Sequence, residues 1–288
     1  MKRILIALAV LLAVQVADAQ TKSPEAAKKA VESAEAASKD AKKATKVATW
    51  LKLASSYMDA YNAPAGSAWL GASKQELQLI MGNDRPVSVE EVVLGTDQLI
   101  KETYSNKEFY FSPAGQLVLI NVTQPVVEDA LGGALEAYKK AYEVDVKQSK
   151  TKDIVTGLST IAQKYLDEGM NSYTFGDLVK ASQLFEKAVE ASATAPLSKV
   201  DTTALYNAGY TAWAVKDYER AKNFFEQCLA ANYYYEGGEV YAKLGDVYTN
   251  LGDAKKGAEL LEQGFVKFPQ SQSILIGLIN YYMTSGEN

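Results

Sequence analysis

Residues Glu239–Pro269 read EVYAKLGDVYTNLGDAKKGAELLEQGFVKFP. Tyr241, Leu244, Gly245 and Tyr248 fall at helical spacing, Gly252-Asp253 make a turn, and Gly257, Leu261 and Gly264 follow at helical spacing again. Small residues let two helices cross closely, and large ones fill the holes between them. Pro269 lies where the second helix must stop, because proline cannot continue a helix. The stretch therefore predicts a pair of packed helices.

The same arrangement recurs on either side. In TALYNAGYTAWAVKDYERAKNFFEQCLAANY, Leu205, Ala208 and Gly209 lead, Asp217-Tyr218 turn, and Ala221, Phe225 and Cys228 follow. One unit earlier, Tyr165 and Gly169 lead, Gly176-Asp177 turn, and Ala181, Phe185 and Ala188 follow. The equivalent small residues Ala181, Ala221 and Gly257 are 40 and 36 positions apart, and Tyr241 to Leu275 is 34. SILIGLINYYMTSGEN opens a further first helix, with Leu278 and Tyr282 in place; its second helix is expected in a longer chain, the other reading being a partner that covers the last helix. Over 162–285 the sequence resembles the tetratricopeptide repeat (TPR) family, whose motif returns every ~34 residues. The resemblance implies an all-α solenoid of helix-turn-helix repeats, with a TPR array over 150–288 whose last repeat is incomplete.

The stretch WLKLASSYMDAY places Trp50, Leu53, Ala54 and Tyr57 in the spacing that opens such a repeat. The matching second half comes much later, in DALGGALEAYKKAYEVD, as Ala134, Tyr138 and Ala141. Residues 47–61 and 127–149 thus read as one split first repeat, with 62–126 as an α/β insertion at its turn. Within the insertion, Ser73-Lys74-Gln75-Glu76 is a capping box opening a short helix. Ser112-Pro113-Ala114-Gly115 is a turn joining strands at 109–111 and 117–122, and a third strand is expected near 99–104. Residues 20–46, rich in Ala, Lys and Glu, read as an N-terminal helix or a mobile arm, with Ser23-Pro24 as a helix start.

The chain opens MKRILIALAVLLAVQVADAQ: a charged start, an apolar run over 4–16 and a small-x-small site at 17–19. This is the pattern of a secretory signal, too short to span a bilayer, with cleavage expected after Ala19. The residue next to that point is Gln20 rather than cysteine, which disfavours a lipid anchor, and periplasmic localisation in a two-membrane bacterium is expected. A net charge of −5 argues against general nucleic-acid binding. With no histidine and one cysteine, the commonest general base and every Ser-His or Cys-His arrangement are absent, and no intrachain disulfide can form. Cys228 reads as a packed, inert thiol. The neighbouring pairs Glu90-Glu91 and Asp167-Glu168 point to different faces, so neither is a glycosidase pair. No enzyme activity, cofactor or metal is expected.

The resemblance implies that first helices line a groove gripping an extended peptide or protein segment. Carried onto this sequence, the groove would hold Leu166, Met170 and Tyr173, then Tyr206, Asn207, Tyr210 and Trp213, then Glu239, Asp246 and Asn250. Family members often carry an asparagine at the position of Asn207, whose amide can pair with a ligand backbone. Lysine and arginine are absent from these slots, so the family's clamp for a free carboxylate is not expected. The other reading has Tyr206, Tyr210 and Trp213 packing on the inserted β segment or on the next repeat. The function that follows is a scaffold or adaptor for a protein or peptide of the cell envelope. The alternative is a glycan-binding protein using NYYYEGGE (Asn232–Glu239), where tyrosines and carboxylates adjoin.

Overall fold

A computed structural model describes residues 21–285, so the signal expected over 1–19 and its cleavage after Ala19 lie outside the described residues. The fold is a helical solenoid with a small antiparallel sheet in its N-terminal part. Three helix pairs repeat: α5 (Thr151–Thr174) with α6 (Leu178–Ala193), α7 (Thr202–Ala214) with α8 (Tyr218–Ala230), and α9 (Glu239–Asn250) with α10 (Ala254–Lys267). α11 (Gln272–Ser285) then packs on α10 and α9.

Each pair closes in the same way. A Cβ built on Gly169 or Gly209 would lie 2.6 or 2.8 Å from the ring of Phe185 or Phe225, and one on Gly245 would lie 2.8 Å from Leu261. The first helix thus offers bare backbone where the second inserts a large buried side chain. The turns repeat as well. Gly176, Lys216 and Gly252 all take a left-handed backbone (φ 79°, 64° and 90°), and the next residue's N–H returns to the first helix at 2.9 Å in every case. That next residue is Asp177, Asp217 or Asp253, and its carboxylate accepts the N–H three residues on, capping the second helix.

The two helices read from the sequence as a split repeat pack on each other. α2 (Val47–Asn62) packs on α4 (Ala130–Val144), with Leu53, Ala54, Ala134 and Ala141 buried between the helices. Asp129 caps α4 through the Gly132 N–H at 3.2 Å, just as the later aspartates do. α1 (Pro24–Lys39) lies on α2, burying Ala27, Val31 and Ala34, so this segment is a docked helix. Tyr57 Oη donates to Glu35 at 2.6 Å, and Lys22 pairs with Asp59 at 2.6 Å.

Between α2 and α4 stand α3 (Lys74–Ile80) and four strands, β1 (Ser88–Leu94), β2 (Asp97–Thr103), β3 (Lys107–Phe111) and β4 (Leu117–Val122), in order β1-β2-β3-β4. Three strands were expected. The extra one, β1, carries Glu90 and Glu91 at its centre, and most of its residues are exposed, so no apolar alternation marks it. Phe109, Phe111 and Leu117 bury themselves under α3 through Leu77 and Ala72. The sheet meets the solenoid where the Tyr110 ring packs edge-on against Phe175, 5.4 Å away, at the end of α5. No described helix is long and apolar enough to cross a membrane.

Candidate functional site

The first helices of successive repeats place an aromatic run along one face. Tyr173 of α5 meets Tyr210 of α7 at 6.3 Å between ring centres, and Tyr210 meets Trp213 at 5.8 Å. Trp213 Nε1 donates to Asp246 Oδ2 of α9 at 2.5 Å. These four residues, from three helices far apart in sequence, form one continuous contact chain. Met170, one turn before Tyr173, is 45% exposed. Asn250 and Asp246 lie exposed at the far end, where the Asn250 amide donates to the Asp246 carbonyl at 2.9 Å.

Asn207 is half-buried, and its side-chain amide has no hydrogen-bond partner among the described residues. An amide so placed keeps both its donor and its acceptor for something else. Tyr206 differs from its neighbours. It is only 7% exposed, packs on Phe225, and lies beneath the ring of Tyr235, stacked at 3.9 Å and 14°. Leu166 is partly buried against the core on both sides of α5.

Two residues of this face were not foreseen. Lys243 of α9 lies with its Nζ 3.4 Å from the Trp213 ring centre and 5.6 Å from that of Tyr210. The expectation of a face without basic side chains is corrected there. It occupies the slot that Asn207 holds 36 positions earlier, and its long stem carries the ammonium across to α7. Glu239 holds it at 3.8 Å, and burial lowers its pKa from the ordinary lysine value against the pull of Glu239 and Asp246. One lysine between two carboxylates makes a mixed-charge patch rather than a carboxylate clamp.

The second is Tyr235. Its backbone (φ 54°, ψ 179°) lies in a region nearly reserved for glycine, a conformation that costs ~1–3 kcal/mol and must be held by its surroundings. Gly237 and Gly238 continue the left-handed turn (φ 60° and 82°) that brings the Tyr235 ring back over Tyr206. The Asn232–Glu239 connection therefore uses its tyrosines internally. Tyr234 stacks on Tyr241 at 5.6 Å beneath the Lys267 ammonium, and Tyr233 packs on the core around Cys228. Cys228 itself is fully buried, and burial pushes its thiol up to about 12.

A tetratricopeptide repeat family model matches residues 202–234, which span α7, α8 and the start of the following connection. The comparison with curated proteins gives no match. Among solved structures, the chain is similar to MamA (23% identity, 55% of this chain and 80% of that chain, TM-score 0.35). It is also similar to BtubC from P. vanneervenii (17% identity, 55% and 75%, TM-score 0.37). A third likeness is to the APC/C hetero-tetramer Cut9-Hcn1 (12% identity, 91% and 41%, TM-score 0.35). At these scores and identities the likenesses say nothing about what this chain binds. Residues 202–234 thus match a tetratricopeptide repeat, and helix pairs with the same close crossing and the same Asp-capped turn stand on either side of it.

Proposed function

We propose that the chain is an exported, non-enzymatic scaffold that grips an extended segment of a cell-envelope protein along the first-helix face of its repeats. The observation that carries this reading is the continuous Tyr173–Tyr210–Trp213–Asp246 chain beside the unpartnered Asn207 amide. Aromatic rings give large contact area for little ordering cost, and a free amide satisfies a peptide backbone's donor and acceptor together. The signal-like sequence of residues 1–19 supports delivery to the periplasm. The tyrosines of Asn232–Glu239 are engaged in internal stacking, so no particular observation favours glycan binding.

The test is crosslinking capture from intact periplasm with the chain from Gln20 as bait. A Tyr173→Ala/Trp213→Ala variant, checked for unchanged helicity, runs beside it. Both side chains are partly exposed, so the pair weakens the face without opening the core, whereas Tyr206 would be a poor choice. A partner held by the parent and lost by the variant supports the reading. Equal capture by both places recognition elsewhere.

A further inference from the structure

The sheet has two edges, and the chain treats them differently. The outer side of β4 is covered: the Gly71 N–H donates to the Leu117 carbonyl at 2.7 Å, and the Leu117 N–H donates to Ala72 at 2.8 Å. Ser73 bridges Gln116, and Asn171 of α5 reaches the Ile120 carbonyl at 3.5 Å. β1, at the other edge, pairs only with β2, in an unbroken register from Ser88 to Leu94. Its outward backbone groups stand without a ladder, the arrangement that accepts a further strand.

Of the devices that usually blunt such an edge, β1 has only charge, in Glu90 and Glu91. β1 contains no proline and no lysine, and the sheet's irregularity lies between β3 and β4. Val89 and Val93 are 58% and 65% exposed and share one face with Glu91 between them, as strand alternation requires. Glu90, on the opposite face, is paired with Lys101 at 2.6 Å. Glu91 has no ion-pair partner among the described residues. The acidic centre also disfavours a second copy of this strand in the registers of fullest overlap. Antiparallel self-pairing centred on either glutamate, or between them, sets carboxylate opposite carboxylate, which is destabilising.

We propose that the free edge of β1 is a docking site for an extended segment of another protein, which adds as a fifth strand. That segment carries a basic residue opposite Glu91 and apolar residues opposite Val89 and Val93. Backbone bonds supply the generic attraction, while the valines and the unpaired carboxylate select the sequence. This surface is separate from the first-helix face and does not rest on that face being used.

The probe is a fluorescein-labelled, end-capped peptide, Thr-Val-Thr-Arg-Thr-Val-Thr, titrated against the whole chain from Gln20 by anisotropy. A twin peptide with Glu in place of Arg is the control. The expected result is saturable binding of the arginine peptide alone. Glu91→Arg should weaken it about tenfold and transfer preference to the glutamate twin. Val89→Lys/Val93→Lys, both at exposed positions, should abolish binding with the far-ultraviolet circular dichroism unchanged. No saturation by either peptide, or equal affinity of both peptides for the parent, overturns the proposal. So does a dimer of the peptide-free chain in sedimentation velocity that the double lysine variant dissolves, since β1 would then be a self-association surface.

Discussion

Replacing Gly209 by alanine sets two opposed effects in one helix. Alanine is favoured over glycine in a helix interior by ~1 kcal/mol, so on propensity alone the change stabilises α7. Packing opposes it. The added Cβ would lie 2.8 Å and 2.9 Å from Cε1 and Cδ1 of Phe225, whereas carbon atoms prefer about 3.5–4.0 Å. Phe225 is fully buried in the core shared by α7, α8 and α9, so its ring has no solvent to retreat into. Overpacking of this kind costs ~1–3 kcal/mol, which exceeds the propensity gain, and Gly209→Ala should destabilise by ~0.5–2 kcal/mol. Phe225→Leu alone should also destabilise, by about 1–2 kcal/mol. Combined, the smaller leucine vacates the space that the new methyl enters. The double variant should then be more stable than the sum of the single effects by ~1 kcal/mol. Urea unfolding followed by circular dichroism measures all four corners of the cycle. A stabilised Gly209→Ala, or strict additivity, would show that the helices do not cross as closely as the repeat geometry requires.

The other predictions concern the turn and the thiol. Lys216 holds a left-handed backbone (φ 64°) where the equivalent turns have Gly176 and Gly252. Lys216→Gly relieves ~1–2 kcal/mol of steric cost against ~0.5–1 kcal/mol of added unfolded-chain freedom, so urea unfolding should show a gain of ~0.5–1 kcal/mol. Cys228, with its thiol pushed up to about 12, should resist iodoacetamide in the native state at pH 8 and react at once in denaturant. A thiol near ~8.5 when unfolded and higher when folded favours the folded chain fully below ~8.5 and loses that contribution as pH rises towards 12. Cys228→Ala should therefore flatten part of the alkaline loss of stability seen in a pH series of unfolding curves.

What the sequence made legible was the helix pairing, because it depends on local chemistry repeated several times. A small residue on one helix opposite a large one on the next, followed by a Gly-Asp or Lys-Asp turn, leaves a mark that survives spacings of 40 and 36. Asp129 at the head of α4 carries the same mark across the insertion. Strand β1 left none, since its valines face outward and its centre is acidic. The aromatic face was legible only as a list of positions. Its closure by Tyr235 depends on a backbone angle that no side chain announces and that the Gly237-Gly238 turn supports. Lys243 was legible as a position, since it fills the slot of Asn207 36 positions on, but its contact with the Trp213 ring follows only from the packing of α9 on α7.

The most direct test of the central claim places a photoreactive benzoylphenylalanine at Met170, which is 45% exposed beside Tyr173, in the full 288-residue chain. The control places the same group at Val179, 58% exposed in the first turn of the second helix α6. Irradiation of living cells should give a discrete crosslinked species from position 170 and none from position 179. The same adducts from both positions, or none from position 170, would contradict recognition along the first-helix face.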